Sequence, residues 1–220
     1  MIKGAASALI WTIVLSLAAA LLLAAGLFFW DQPVLEAVRH GFGKGWKDTA
    51  KFFSRYGDFP WLFGAALLVL GFTLRTRRRQ WTRVLVVMLL AGVVAGLTSN
   101  LIKLGAGRVR PRVDEVSHGW YGTVHHGEWV SIRHIHQSFP SSHAACAFGF
   151  FFPLFLARQG WGSLGLAGAV AIAWSRVQLN AHHVSDVAAG ALLGMIVGWI
   201  IWRWIVQRGG LSRWLGRADC

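Results

Sequence analysis

A chain of 220 residues with 55% hydrophobic and only 14% charged side chains has too little polar surface for a soluble domain, where about a quarter of residues are charged. Its mean hydropathy is +0.49 and its formal net charge is +13. The cations cluster between apolar runs, with no basic tail and no nucleic-acid motif, so they suit membrane topology and anionic lipid and exclude nucleic acid as a partner.

The apolar pattern predicts an all-α membrane protein, a six-transmembrane helix bundle forming a single domain over 1–220. The first run, about Ala5–Trp30, is longer than the apolar region of a signal peptide and reads as an uncleaved spanning helix. The other spans are predicted at about Pro60–Leu74, Val84–Leu104, Ser141–Ala157, Gly162–Val177 and Val184–Val206. Between spans one and two, Phe42, Trp46, Ala50 and Phe53 recur near helical spacing, while Lys44, Lys47, Lys51 and Arg55 share another face. That pattern predicts a helix lying in the interface against anionic headgroups. Trp30, Trp61, Trp81, Trp161 and Trp202 fall near span ends, as an aromatic belt requires. Gly190, Gly194 and Gly198 repeat every four residues, a small-residue face for close helix packing. The two cysteines, Cys146 and Cys220, form no disulfide framework and no CxxC site.

Lys3, the run Arg75, Arg77, Arg78, Arg79 and Arg83, and the tail residues Arg203, Arg208, Arg213 and Arg217 fall on one side of a six-span layout. The positive-inside rule makes that side cytoplasmic, with both termini there. The loops 31–59, 105–140 and 178–183 then face the periplasm or cell exterior of a bacterial inner (cell) membrane.

Three stretches in or beside those outer loops carry ionisable groups at the membrane edge, where they are costly and mark function. In Lys103–Pro111, Lys103 and Arg110 are seven residues apart and would share a face on a continuing helix, a point charge and a planar fork for an oxyanion. In Pro140–His143, Ser141 and Ser142 open a helix whose free N–H groups suit an anion, and His143 is placed to protonate a leaving oxygen. In Ser175–Asp186, Arg176 ends one span, and His182 and Asp186 are i and i+4. On a helix the carboxylate would accept a hydrogen bond from one ring nitrogen of His182 and leave the other free as nucleophile or base. His183 is poorly aligned for this. The set reads as phosphate chemistry at a membrane surface.

In order, K-x6-R-P, P-S-x-H and S-R-x5-H-x3-D resemble the motifs of the type 2 phosphatidic acid phosphatase superfamily, which includes integral-membrane lipid phosphate phosphatases. The resemblance covers Lys103–Asp186 by motif and most of the chain by span layout. It implies that His182 forms a phosphohistidine, that Asp186 orients it, and that His143 is the general acid. It implies a phosphate clamp of Lys103, Arg110 and Arg176, assisted by Ser141 and Ser142, although the family usually has glycine where Ser142 stands. It also implies hydrolysis without metal or cofactor, acting on a lipid phosphate or diphosphate at the outer leaflet. Phosphatidylglycerophosphate, phosphatidic acid, polyprenyl diphosphate and lipid A phosphate all fit. A neutral His182 beside a protonated His143 predicts a bell-shaped pH profile.

The loop 105–140 also holds His118, His125, His126, His134 and His136, whose spacing matches no firm metal-ligand motif. With Arg112, Arg133, Trp120, Tyr121 and Trp129 it is expected to shape headgroup choice. The rival reading is an anion or lipid-phosphate transporter or channel that uses the same cations as a binding site. That would need repeated or discontinuous helices, and no internal repeat is visible. Oligomeric state is not legible.

Overall fold

In a computed structural model the described residues are 29–41 and 44–207. The first predicted span therefore lies almost wholly outside them. Seven helices follow: α1 (Asp31–Gly41), α2 (Lys44–Tyr56), α3 (Phe59–Arg75), α4 (Arg79–Ala106), α5 (Ser142–Ala157), α6 (Gln159–Gln178) and α7 (Val184–Trp202). A two-stranded antiparallel ribbon, β1 (Val124–His125) and β2 (Glu128–Trp129), and a short 3-10 turn (His134–His136) occupy the long loop between α4 and α5.

The helix expected from the Phe42–Arg55 pattern stands as α2, with α1 preceding it. α2 and α3 meet at a 55° bend. By length and apolarity α4 and α7 each suffice to cross a bilayer, and the bent α2–α3 pair makes a third candidate. α5, with 16 residues, is apolar but short. Leu68, Leu101, Leu164 and Ile200 stand on the outer faces of α3, α4, α6 and α7 and are more than half exposed. In a chain whose helices are this apolar, such outward faces belong in lipid, which makes the protein an integral membrane protein.

α5 packs against α4, α6 and α7. The expected small-residue face of α7 is what lets it approach. A Cβ on Gly190 would stand 2.4 Å from the Ser141 carbonyl oxygen, and one on Gly194 would stand 2.5 Å from that of Ala145. The Ser141 amide also donates to the Asp186 carbonyl at 2.9 Å. The first turns of α5 and α7 are thereby held side by side, and those turns carry His143 and follow His182.

Candidate active site

The first motif does not continue as a helix. α4 ends at Ala106, and Gly107 caps it in the left-handed conformation, φ 59°. A side chain there is excluded twice over, because its Cβ would lie 2.0 Å from the Gly122 carbonyl oxygen. Lys103 is thus on a helix and Arg110 on the loop, yet both reach one cavity of about 610 Å3. Arg110 is aimed by three backbone carbonyls, donating to those of His134 at 2.9 Å, Gln137 at 3.1 Å and Ala181 at 3.4 Å. Burial, followed by repulsion from Arg112 and Arg176, pushes Arg110 down to about 10, so it stays cationic at neutral pH.

The same cavity is lined by Ser142, His143, Arg176 and His182. Ser142, in place of the family's usual glycine, uses its hydroxyl rather than leaving bare backbone. It donates to Asn100 at 2.7 Å and accepts from Lys103. Ser141 is buried behind the cavity and does not line it. Its hydroxyl has no hydrogen-bond partner among the described residues. Arg176 donates through Nη1 to Ser54 of α2, and its buried Nε is likewise without a partner. Arg176 lines the cavity with Lys103 and Arg110, and three cations in one wall make an environment suited to an oxyanion.

His182 is held differently from the expectation. α7 begins at Val184, with His183 as its N-cap, so His182 precedes the helix and the i, i+4 geometry does not apply. The turn from α6 reverses at Asn180, φ 51°, and the Arg176 carbonyl accepts from the amides of Ala181 and His182. His182 Nδ1 lies 2.7 Å from the Ser138 carbonyl and 3.7 Å from Asp186 Oδ2. The ordered hydrogen bond therefore runs to Ser138, with Asp186 one step behind. A carbonyl only accepts, so Nδ1 carries the hydrogen and Nε2 keeps its lone pair. Burial pushes the ring down to about 3, against the opposing pull of Asp186, so it is neutral throughout the ordinary range. The acid side of a bell-shaped pH profile is therefore not set by His182 titrating near an ordinary histidine value.

Asp186, completely buried, collects the elements around His182. It accepts from Ser138 Oγ at 2.5 Å, from the His183 amide at 2.8 Å and from Arg108 Nη1 at 2.6 Å. Arg108 in turn donates to Ser185 Oγ at 2.8 Å and to Asp31 Oδ2 at 2.6 Å, and its guanidinium lies over Trp120. Asp31 accepts from the Ser185 amide at 3.0 Å. Arg108, Asp31 and Ser138 were missed in the motif reading. Arg108 lies inside the first motif, but nothing in the sequence ties it to a carboxylate 77 residues away. Asp58 was missed too: it lines the cavity, and its Oδ1 is 3.3 Å from His143 Nε2.

On the rim, Arg112 Nη2 is 3.4 Å from His134 Nδ1, and the Arg110 charge lowers the pKa of the His134 ring below its usual value. His125 and His126 contact each other at 4.1 Å. Among the described residues no group of three or more His, Cys, Asp or Glu is placed to hold a metal ion.

In this helical membrane protein the cationic cup that His143 and His182 share, at the ends of three helices, suits an oxyanion. Residues 80–209 match the model of the PAP2 superfamily. The chain belongs to that superfamily, and it is a phosphatase by class. It is 28% identical over 187 residues to the lipid A 1-phosphatase of Rhizobium etli, covering 80% of this chain and 76% of that one. It is 30% identical over 139 residues to lipid phosphate phosphatase 1 of Arabidopsis thaliana, and that match spans only 42% of the plant protein. The fold is similar to that of the transmembrane PAP2-type phosphatidylglycerolphosphate phosphatase from Bacillus subtilis. The TM-score is 0.63 at 20% identity, over 94% of this chain and 98% of that one.

Proposed function

We propose that this protein is a membrane lipid phosphatase that hydrolyses a lipid phosphate or diphosphate through a phosphohistidine on His182. The observation that carries the reading is the convergence of Lys103, Arg110, Arg176, His143 and His182 on one cavity. The names of its relatives support a phosphorylated lipid as substrate.

Lys103, Arg110 and Arg176, with the Ser142 hydroxyl, hold the phosphoryl oxygens and offset their charge as it redistributes in the transition state. His182 Nε2 attacks phosphorus in line, while the Ser138 carbonyl and the Asp186 carboxylate behind it steady the cation that develops on the ring. His143 gives a proton to the departing lipid oxygen as the P–O bond breaks. Water then attacks the phosphohistidine, its proton goes to His143, and the P–N bond breaks to release phosphate. No step requires a metal ion.

The reading includes six spans, termini in the cytoplasm and a cup facing the periplasm or cell exterior, supported by the helices found at the second to sixth predicted spans and by the arginine distribution. The test is phosphate release from a panel of detergent-solubilised lipid phosphates and diphosphates, with EDTA present. His182→Ala and His143→Ala are each expected to lose at least about 100-fold. Wild-type-like release by His182→Ala removes the nucleophile from this scheme, and complete loss of wild-type activity in EDTA removes its metal independence.

A further inference from the structure

We infer that Asp58 is a positioning residue for His143, presenting the imidazole so that its second nitrogen delivers the proton to the departing lipid oxygen. The inference rests on the general-acid role proposed above and adds to it the residue through which that role is exerted.

Asp58 is the one carboxylate among the described residues that line the cup. Its presence there needs a reason. Lys103, Arg110, Arg112 and Arg176 line the same cavity, and a negative charge among them weakens the hold on a phosphate. Helix capping is an insufficient reason. An N-cap side chain ordinarily accepts from the second or third amide of its helix. Asp58 Oδ1 accepts only from the immediately following amide, Phe59, at 2.8 Å. The carboxylate is turned instead towards α5, where it pairs with His143 rather than with one of the cup's cations.

The backbone is shaped to bring it there. Asp58 sits at the 55° bend between α2 and α3. The preceding Gly57 presses so closely on α6 that a Cβ would lie 2.3 Å from Ile172 Cγ1. Any side chain at 57 lifts the bend off the bundle and withdraws Asp58 from His143.

Asp58 Oδ1 lies 3.3 Å from His143 Nε2, and because a carboxylate only accepts, we place a hydrogen on Nε2. When the ring is protonated, the transferable proton is on Nδ1. In the first half-reaction that proton moves to the leaving oxygen as the P–O bond breaks and the bond to His182 forms, leaving a neutral Nε2–H imidazole still held by Asp58. In the second, Nδ1 takes the proton from water. Asp58 keeps its charge throughout and touches no reacting atom.

The test compares an alkyl lipid phosphate, whose alkoxide needs a proton to leave, with p-nitrophenyl phosphate, whose phenolate leaves without one. His143→Ala is the reference. Asp58→Asn retains a good capping residue, and Asp58→Glu retains the charge. In Asp58→Asn, the ratio of alkyl to aryl kcat is expected to fall at least about tenfold, in the same sense as in His143→Ala. Asp58→Glu is expected to restore part of that ratio. The aryl rate itself reports that the protein is folded. If His143→Ala changes the ratio but Asp58→Asn lowers both rates equally, or neither, Asp58 has no positioning role. If His143→Ala leaves the ratio unchanged, the general-acid assignment fails and the role of Asp58 fails with it.

Discussion

Replacing Arg108 by glutamine is expected to be more damaging than replacing any exposed cation, for a reason that can be worked through the buried network. Arg108 is 8% exposed and joins Asp31, 3% exposed, to Asp186, fully buried, at 2.6 Å each. Arg108→Gln leaves two buried carboxylates without their shared counter-ion. Breaking a buried pair by removing one partner costs about 3–5 kcal/mol. For a chain of this size that corresponds to a fall of roughly 6–20 °C in apparent Tm. The assay is thermal unmasking of the buried Cys146 thiol by a thiol-reactive dye, in a Cys220→Ser background. The decisive comparison adds Asp31→Asn, which neutralises one of the two stranded charges. The double variant should be more stable than the sum of the single effects implies, by about 0.5–3 kcal/mol. Strict additivity, or a wild-type Tm for Arg108→Gln, would refute the idea that Arg108 holds the two carboxylates together.

The His182 ring is neutral in the folded protein down to about 3, whereas an unfolded chain binds its proton near 6.5. Stability is therefore present above about 6.5 and is lost as pH falls from there towards 3, by about 1.4 kcal/mol per pH unit. His182→Gln should flatten the acid side of the Tm–pH curve, and parallel curves for the two proteins would contradict this. Gly107→Ala should lower both Tm and kcat/KM, with an effect exceeding the roughly 1 kcal/mol typical of a strain-free glycine change, because the new Cβ meets the Gly122 carbonyl and shifts the loop bearing Arg108 and Arg110. Unchanged kinetics would show that this turn does not set the arginines. Ser138→Ala removes the hydroxyl on Asp186 but not the carbonyl on His182. It should lower stability by about 1–3 kcal/mol while reducing kcat less than Asp186→Ala does, and the reverse order of kcat would make the carboxylate dispensable.

The helices were legible because apolar length and small-residue spacing are local properties: a helix stands at each of the second to sixth predicted spans, although only α4, α7 and the bent α2–α3 pair are long and apolar enough to cross a bilayer, and the glycine face of α7 packs as read. The motifs named Lys103, Arg110, Ser142, His143, Arg176 and His182, which line the cavity, since charge and imidazole at a membrane edge are costly enough to stand out. What stayed hidden had no residue-type signal. The partner of His182 Nδ1 is a backbone oxygen of Ser138, which any amino acid supplies. The His182–Asp186 spacing suggested a helical pair, but the helix begins two residues after His182. Asp31 and Asp58 are separated from Arg108 and His143 by many tens of residues, and only the folded chain brings each to its partner. α2 docks on α6, with Trp46 and Trp174 edge to face at 5.8 Å.

That docking has a practical consequence. α2 reaches the cup through Ser54 on Arg176 and continues through the bend to Asp58, while its outer face presents Lys47, Lys51 and Phe52 to the surroundings. Whatever amphiphile replaces the native bilayer therefore bears directly on Arg176 and Asp58, two residues that line the cavity. Short-chain surfactants that strip or tilt this surface ramp should silence turnover while the buried bundle remains intact, so preparations are best judged by rate in lipid nanodiscs rather than by helical content.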